Sequence, residues 1–137
     1  MGRTTVKFAL SNYSDVLAVE EGRLAPEKIR RVVMDGVVDA GATRLVLPLS
    51  VVQQLMLPVT DQTIVRYADH RQEMRNIASL AHVEILNRSG TFKAIVEPQR
   101  TDALIGAIVL EDLDLIVDCA AQKVVPRDPN NIVSEVE

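Results

Sequence analysis

Val37-Val38-Asp39-Ala40-Gly41-Ala42-Thr43-Arg44-Leu45-Val46-Leu47-Pro48 places one carboxylate between two apolar runs rich in β-branched and aliphatic residues. A charge at the end of such a run contributes nothing to packing, because an ionised group is costly to take out of water. Gly41 lets the backbone fold close to the carboxylate, so that neighbouring groups can hydrogen-bond it and hold it rigidly. An Asp-X-Gly triplet alone is an ordinary turn. Flanked on both sides by strand-forming segments, it becomes a strand-turn-strand unit that presents Asp39 at its tip.

Working outward, Thr5-Val6-Lys7-Phe8-Ala9-Leu10 alternates outward and inward residues and predicts a strand, stopped by the turn formers Ser11-Asn12-Tyr13-Ser14-Asp15. Residues 15–28 contain the breakers Glu20-Glu21-Gly22 and Pro26 and read as a loop or short extended piece. The β-branched content rises again over 29–38, with Gly36 marking a bulge or turn. On the other side, Leu49, Val52, Leu55 and Met56 have helical spacing, giving a short surface helix limited by Pro58. Segments 63–67 and 72–77 flank Ala68-Asp69-His70-Arg71, the pattern of a hairpin with a charged tip. A second hairpin follows, with strands 82–86 and 91–96 joined by Asn87-Arg88-Ser89-Gly90 and Gly90 suited to a left-handed position. Residues 104–113 are apolar enough for a buried helix, 115–118 form another strand and 122–125 return beside it. No internal repeat is visible. Many short strands with one or two short helices predict an all-β, closed barrel-like domain over 1–126, followed by a polar tail over 127–137.

Composition narrows the function. Of 137 residues, 47% are hydrophobic and 25% charged, the balance of one globular domain. Lys and Arg number 15 against 19 Asp and Glu, and the net charge of -4 with no basic stripe argues against nucleic acid as a partner. With no Trp, 2 Phe and 2 Tyr, a stacking platform for bases or sugars cannot be assembled, and the core must be aliphatic. The one cysteine, Cys119, cannot form an intrachain disulfide and reads as structural. No apolar run resembles a signal peptide or a bilayer span, so a cytoplasmic chain with no membrane partner is expected. His82 and Glu84 share one strand face, but with His70 and Cys119 they show no metal-ligand spacing, and neither metal nor cofactor is expected.

Segment 37–47 resembles the active-site signature of the retroviral-type (retropepsin-like) aspartic peptidases: two apolar residues, Asp-Thr-Gly or Asp-Ser-Gly, Ala, a Thr, Ser or Asp, then an apolar strand. The family's later element, two apolar residues and a Gly leading into a short helix, is matched by Leu104-Ile105-Gly106 and the run from Ala107 to Leu110. Two motifs in the right order carry more than one, and residues 5–125 can be laid over the family's plan, most like a small single-domain bacterial or cyanobacterial-type member. The resemblance implies a retropepsin-like barrel with Asp39 catalytic, Ala40, Gly41, Ala42 and Thr43 forming the active-site loop, and Leu104, Ile105 and Gly106 supporting it. Tyr67, Ala68, Asp69, His70 and Arg71 would form a flap, with Tyr67 and His70 as candidate substrate contacts. The chemistry requires two aspartates, and neither Asp35-Gly36 nor Asp118-Cys119-Ala120 supplies a second Asp-X-Gly turn. The second would be Asp39 of an identical partner in a two-fold homodimer. Such a pair shares one proton, one carboxyl acting as base on a water and the other donating to the substrate carbonyl. An extended peptide or protein substrate would lie as an added strand, its side chains in apolar pockets such as those of Val46, Leu47 and Ile105.

Three departures from the family pattern stand in the sequence. Ala40 replaces the Thr or Ser whose hydroxyl braces the two loops across the dimer axis. The flap tip contains no glycine and is charged, where viral flaps are glycine-rich. Thr43 stands where viral members often carry a second Asp. The first of them defines the alternative: a non-catalytic or strongly attenuated member, a dimeric peptide-binding or scaffold domain that keeps the fold and has lost the Thr brace.

Overall fold

The computed structural model describes residues 3–136. Alternation in β1 (Thr5–Asn12) turns Phe8 and Leu10 inward. Asn12 ends this strand and caps α1 (Tyr13–Glu20), its side-chain oxygen accepting from the Ser14 N–H at 2.9 Å. After a 3-10 turn at Pro26–Lys28, β2 (Arg31–Val38) runs back antiparallel to β1, with Thr5 opposite Val37 and Ser11 opposite Arg31. The chain continues through β3 (Leu45–Pro48), α2 (Leu49–Leu55), β4 (Val59–Arg66), β5 (Gln72–Ile85), β6 (Arg88–Glu97) and β7 (Ala103–Ile105). It ends through α3 (Ala107–Asp112), β8 (Leu115–Asp118) and β9 (Lys123–Pro126).

The sheet order β1-β2-β7-β3-β6-β5 returns to β1, where Leu10 pairs with Val83 of β5, and so closes a six-stranded barrel. Closure leaves these strands without free edges. The long β5 serves two purposes. Residues 81–84 lie in the barrel wall against β1, while 72–78 pair with β4, which lies outside the closed ring. A register shift between Ala78 and Ala81, with Leu80 at φ 63°, separates the two halves. The β8-β9 ladder forms a second sheet and contributes Leu115 and Val124 to the core. Leu10, Leu45, Leu47, Val83, Ile85 and Ile105 are sealed inside, each contributing about 1.5–3 kcal/mol by leaving water. The all-β, closed barrel with short helices thus matches the sequence expectation, and no described helix is long and apolar enough to cross a membrane.

Several local expectations are corrected. Part of the segment expected to be a loop, 15–28, belongs to α1, which is held by tertiary bonds: the Asn12 Nδ2 donates to the Leu55 carbonyl at 2.9 Å, and Asp15 pairs with Arg30. The helix ends at the breakers, with Gly22 at φ 74°. Gly36 forms neither bulge nor turn. It lies in register within β2, where a Cβ would come within 2.7 Å of the Ile105 Cδ1 and 2.9 Å of the Phe8 Cε1. Gly90 likewise lies in a strand, where a Cβ would meet the Phe92 ring and Asp112; the left-handed turn positions are Leu86 and Asn87, at φ 51° and 67°. This is a two-residue hairpin turn with both central residues left-handed. Finally, Leu104 and Ile105 are strand, not the start of a helix; the chain turns at Gly106 and only 107–112 are helical.

Candidate active site

Asp39 sits at the end of β2, and its loop is held from both sides by β7. That strand lies between β2 and β3, pairing parallel with the first (Val38 beside Ile105) and antiparallel with the second (Leu104 beside Val46). The Asp39 N–H donates to the Ile105 carbonyl at 3.0 Å, and the Ala42 N–H returns to the Asp39 carbonyl at 3.0 Å. At the start of α3, the Ala107 and Ile108 N–H groups donate to the carbonyls of Ala42 and Thr43 at 2.8 and 2.9 Å. Gly106 is required at this crossing, because a Cβ there would lie 2.5 Å from the Arg44 carbonyl oxygen and 2.8 Å from that of Ala42. The backbone of 39–43 is therefore fixed by its neighbours, while among the described residues the Asp39 carboxylate accepts only the Gly41 N–H, at 2.9 Å, and remains exposed. Ala40, Gly41 and Thr43 are exposed with it, and Ala42 is half-buried.

Asp39 opens onto a cleft of about 1330 Å³, roofed by β4 and the hairpin tip. This exceeds the roughly 300–1,000 Å³ of small-molecule pockets and suits a polymer. Tyr67, Ala68 and His70 of the tip border it together with the loop from Asp39 to Arg44, so the structure brings the two distant sequence segments together. Asp69 and Arg71 are at the tip but do not border this cleft; Asp69 accepts the Arg71 N–H at 3.1 Å and shapes the turn, with His70 at φ 68°. The apolar floor includes Val37, Val46, Ile95 and Leu104. Leu47 and Ile105, expected in substrate pockets, instead point into the core and are fully buried, because strand alternation gives the cleft face to Val46 and Leu104. Ile105 meets the loop through its backbone, its carbonyl accepting the Asp39 N–H.

One contact group was not legible in the sequence. The Tyr67 hydroxyl donates to the Glu97 carboxylate, whose other oxygen accepts from the Arg75 Nε at 2.9 Å. The Arg71 guanidinium lies 4.6 Å from the Tyr67 ring centre and that of Arg75 5.7 Å. Burial and then the Glu97 bond push the Tyr67 phenol up, and the Glu97 bond pushes the Arg75 guanidinium up. Tyr67 therefore ties the hairpin tip to the end of β6, and its hydroxyl is already engaged. The signal is register: Ile77 faces Ile95, so two residues further along each antiparallel strand Arg75 meets Glu97 on the same face.

Cys119 corrects its expectation, being exposed at the edge of the cleft and not a packed structural residue. His82 stacks on Tyr13 with ring centres 5.1 Å apart and its Nδ1 is 3.0 Å from the Thr91 hydroxyl. Its burial pushes the imidazole down. It lies away from the residues bordering the cleft. Among the described residues no group of three or more His, Cys, Asp or Glu is gathered as a metal site. The chain matches no family model and no curated protein sequence.

Proposed function

We propose that the protein is an aspartic endopeptidase of retropepsin-like type, in which two copies bring their Asp39 carboxylates together over an extended peptide. The observation that carries this reading is the Asp39 loop: its backbone is clamped by β7 and Gly106 while its carboxylate is left open to a polymer-sized cleft. A fixed carboxylate with unused acceptor capacity is what a general base needs. Across a two-fold axis the paired carboxyls hold one proton between them. The ionised Asp39 takes a proton from a water as its oxygen attacks the scissile carbonyl carbon, and the protonated Asp39 gives its proton to the carbonyl oxygen. The tetrahedral diol then collapses: one of its hydroxyls returns a proton to the now ionised Asp39, the C–N bond breaks, and the proton taken from water goes to the amine, which restores the singly protonated pair. No covalent enzyme intermediate and no cofactor enters. A reducing, cytoplasmic setting fits the unpaired Cys119.

Ala40 favours a second reading, a dimeric peptide-binding scaffold, because it has no hydroxyl with which to brace the partner's loop. A pepstatin-like transition-state mimic separates the two. The peptidase reading expects it to raise Tm and to inhibit cleavage in a preparation whose mass in solution is that of a dimer. No thermal shift in a strictly monomeric protein would reject the paired-Asp39 mechanism.

A further inference from the structure

The cleft collects unpaired positive charge in an acidic protein. Arg3, Arg44 and Arg66 border it, and among the described residues none of the three has a carboxylate or hydrogen-bonding partner for its guanidinium. Every other arginine faces a carboxylate or, in Arg88, donates to the carbonyls of Leu113 and Asp114. The arginines come from separate parts of the fold: the chain entering β1, the loop before β3, and the end of β4. Of the acids bordering the cleft, Glu97 is already engaged by Arg75 and Tyr67, which leaves Asp39. With a net charge of -4 for the whole chain, this local surplus runs against the protein's overall sign. Guanidinium groups are forks matched to carboxylates.

We infer that this cleft selects peptides carrying Asp or Glu side chains close to the apolar residues that lie on its floor. The inference rests on the peptide-binding reading above and adds the substrate class. Nucleic acid shares the negative charge but fits less well. Of the two rings bordering the cleft, Tyr67 already carries the Arg71 and Arg75 guanidinium groups and His70 stands at the exposed hairpin tip, so the cleft offers no run of aromatic side chains on which successive bases could stack. The apolar floor offers side-chain pockets instead.

The test uses three fluorescent peptides with one apolar centre, flanked by Glu, Gln or Lys. Binding is read by anisotropy on the non-cleaving Asp39→Asn protein, and cleavage on the parent. The Glu peptide should bind about tenfold more tightly than the Gln peptide at low ionic strength, with the ratio shrinking severalfold at about 0.5 M salt. In Arg44→Gln and Arg66→Gln, both exposed positions, the Glu-to-Gln ratio should drop at least about twofold each while the melting curve stays cooperative. Equal binding of the Glu and Gln peptides, or a preference untouched by both substitutions, overturns the inference. So does displacement of the Glu peptide by a single-stranded oligonucleotide at equal charge and concentration. Cleavage of all three peptides at one rate together with equal binding would leave the peptidase reading standing without this selectivity. Preferential binding of the Glu peptide with no cleavage would keep the selectivity and reject the peptidase.

Discussion

The β1-β2 ladder carries an aspartate just beyond each end, and the two have opposite fates. At the end where Ser11 faces Arg31, Asp15 is buried and its carboxylate accepts from the Arg30 N–H, Nε and Nη2 at 3.0, 2.8 and 2.8 Å. At the end where Thr5 faces Val37, Asp39 is exposed and accepts one N–H from its own loop. Asp15 has spent its acceptor capacity on closing the fold: it ties α1 to the start of β2. Asp39 has kept most of its capacity, while the structure has instead fixed the backbone beneath it. A carboxylate committed to structure and one available for chemistry are thus told apart by where their hydrogen bonds go, not by residue type or neighbouring sequence.

The comparison breaks most sharply at Asp39. Asp39→Asn should abolish peptide cleavage, about a thousandfold or more, because an amide can neither take nor give the required proton. Its stability should stay within about 0.5 kcal/mol, the range of an exposed substitution. Undiminished cleavage by the purified variant would place the activity elsewhere. The clamp beneath Asp39 is tested by Gly106→Ala, whose Cβ meets backbone and not a movable side chain. Denaturant unfolding should show a loss of about 3 kcal/mol, in the upper part of the overpacking range.

At the other end, Asp15→Ala should cost about 2 kcal/mol, since it removes charge-assisted bonds and leaves Arg30 unpaired. The Arg30 side-chain bond holds the Asp15 carboxyl below its ordinary 3.8. A lowered carboxyl value stabilises the fold fully above the unfolded value and loses that contribution as pH falls through the folded one. The parent's stability should therefore decline below about pH 4 more steeply than that of Asp15→Ala, in parallel acid titrations of unfolding. The smallest effect sharpens the open end: Ala40→Thr should tighten the dimer by up to about 2 kcal/mol, at about 1 kcal/mol per added hydroxyl bond, or roughly thirtyfold in Kd. Dilution-dependent mass would read it. Unchanged affinity and cleavage would mean that the two loops do not meet and would favour the scaffold reading.

Much of the frame was legible from residue order alone. Strand alternation around Phe8 and Leu10, the hairpin with Ala68-Asp69-His70-Arg71 at its tip, and the strand-turn-strand unit around Asp39 follow from periodicity and turn chemistry, which act over a few residues. Those forces do not reach across the chain. α1 escaped notice because its anchors, the Leu55 carbonyl and Arg30, lie 43 and 15 residues from the groups they bind. Gly36 and Gly90 looked like turn residues because glycine permits turns, yet both are needed for space against side chains that only folding brings near. The barrel's closure through β1 and β5, the latch of Tyr67 on Glu97, and the gathering of Arg3, Arg44 and Arg66 at one cleft were likewise decided by tertiary structure. The sequence alone determined that Asp39 would stand at a tight turn between apolar strands. Only non-local pairing, with β7 inserted between β2 and β3, decided that the turn would be rigid and face a cleft, because hydrogen bonds between strands far apart in the chain exist only once the barrel has closed.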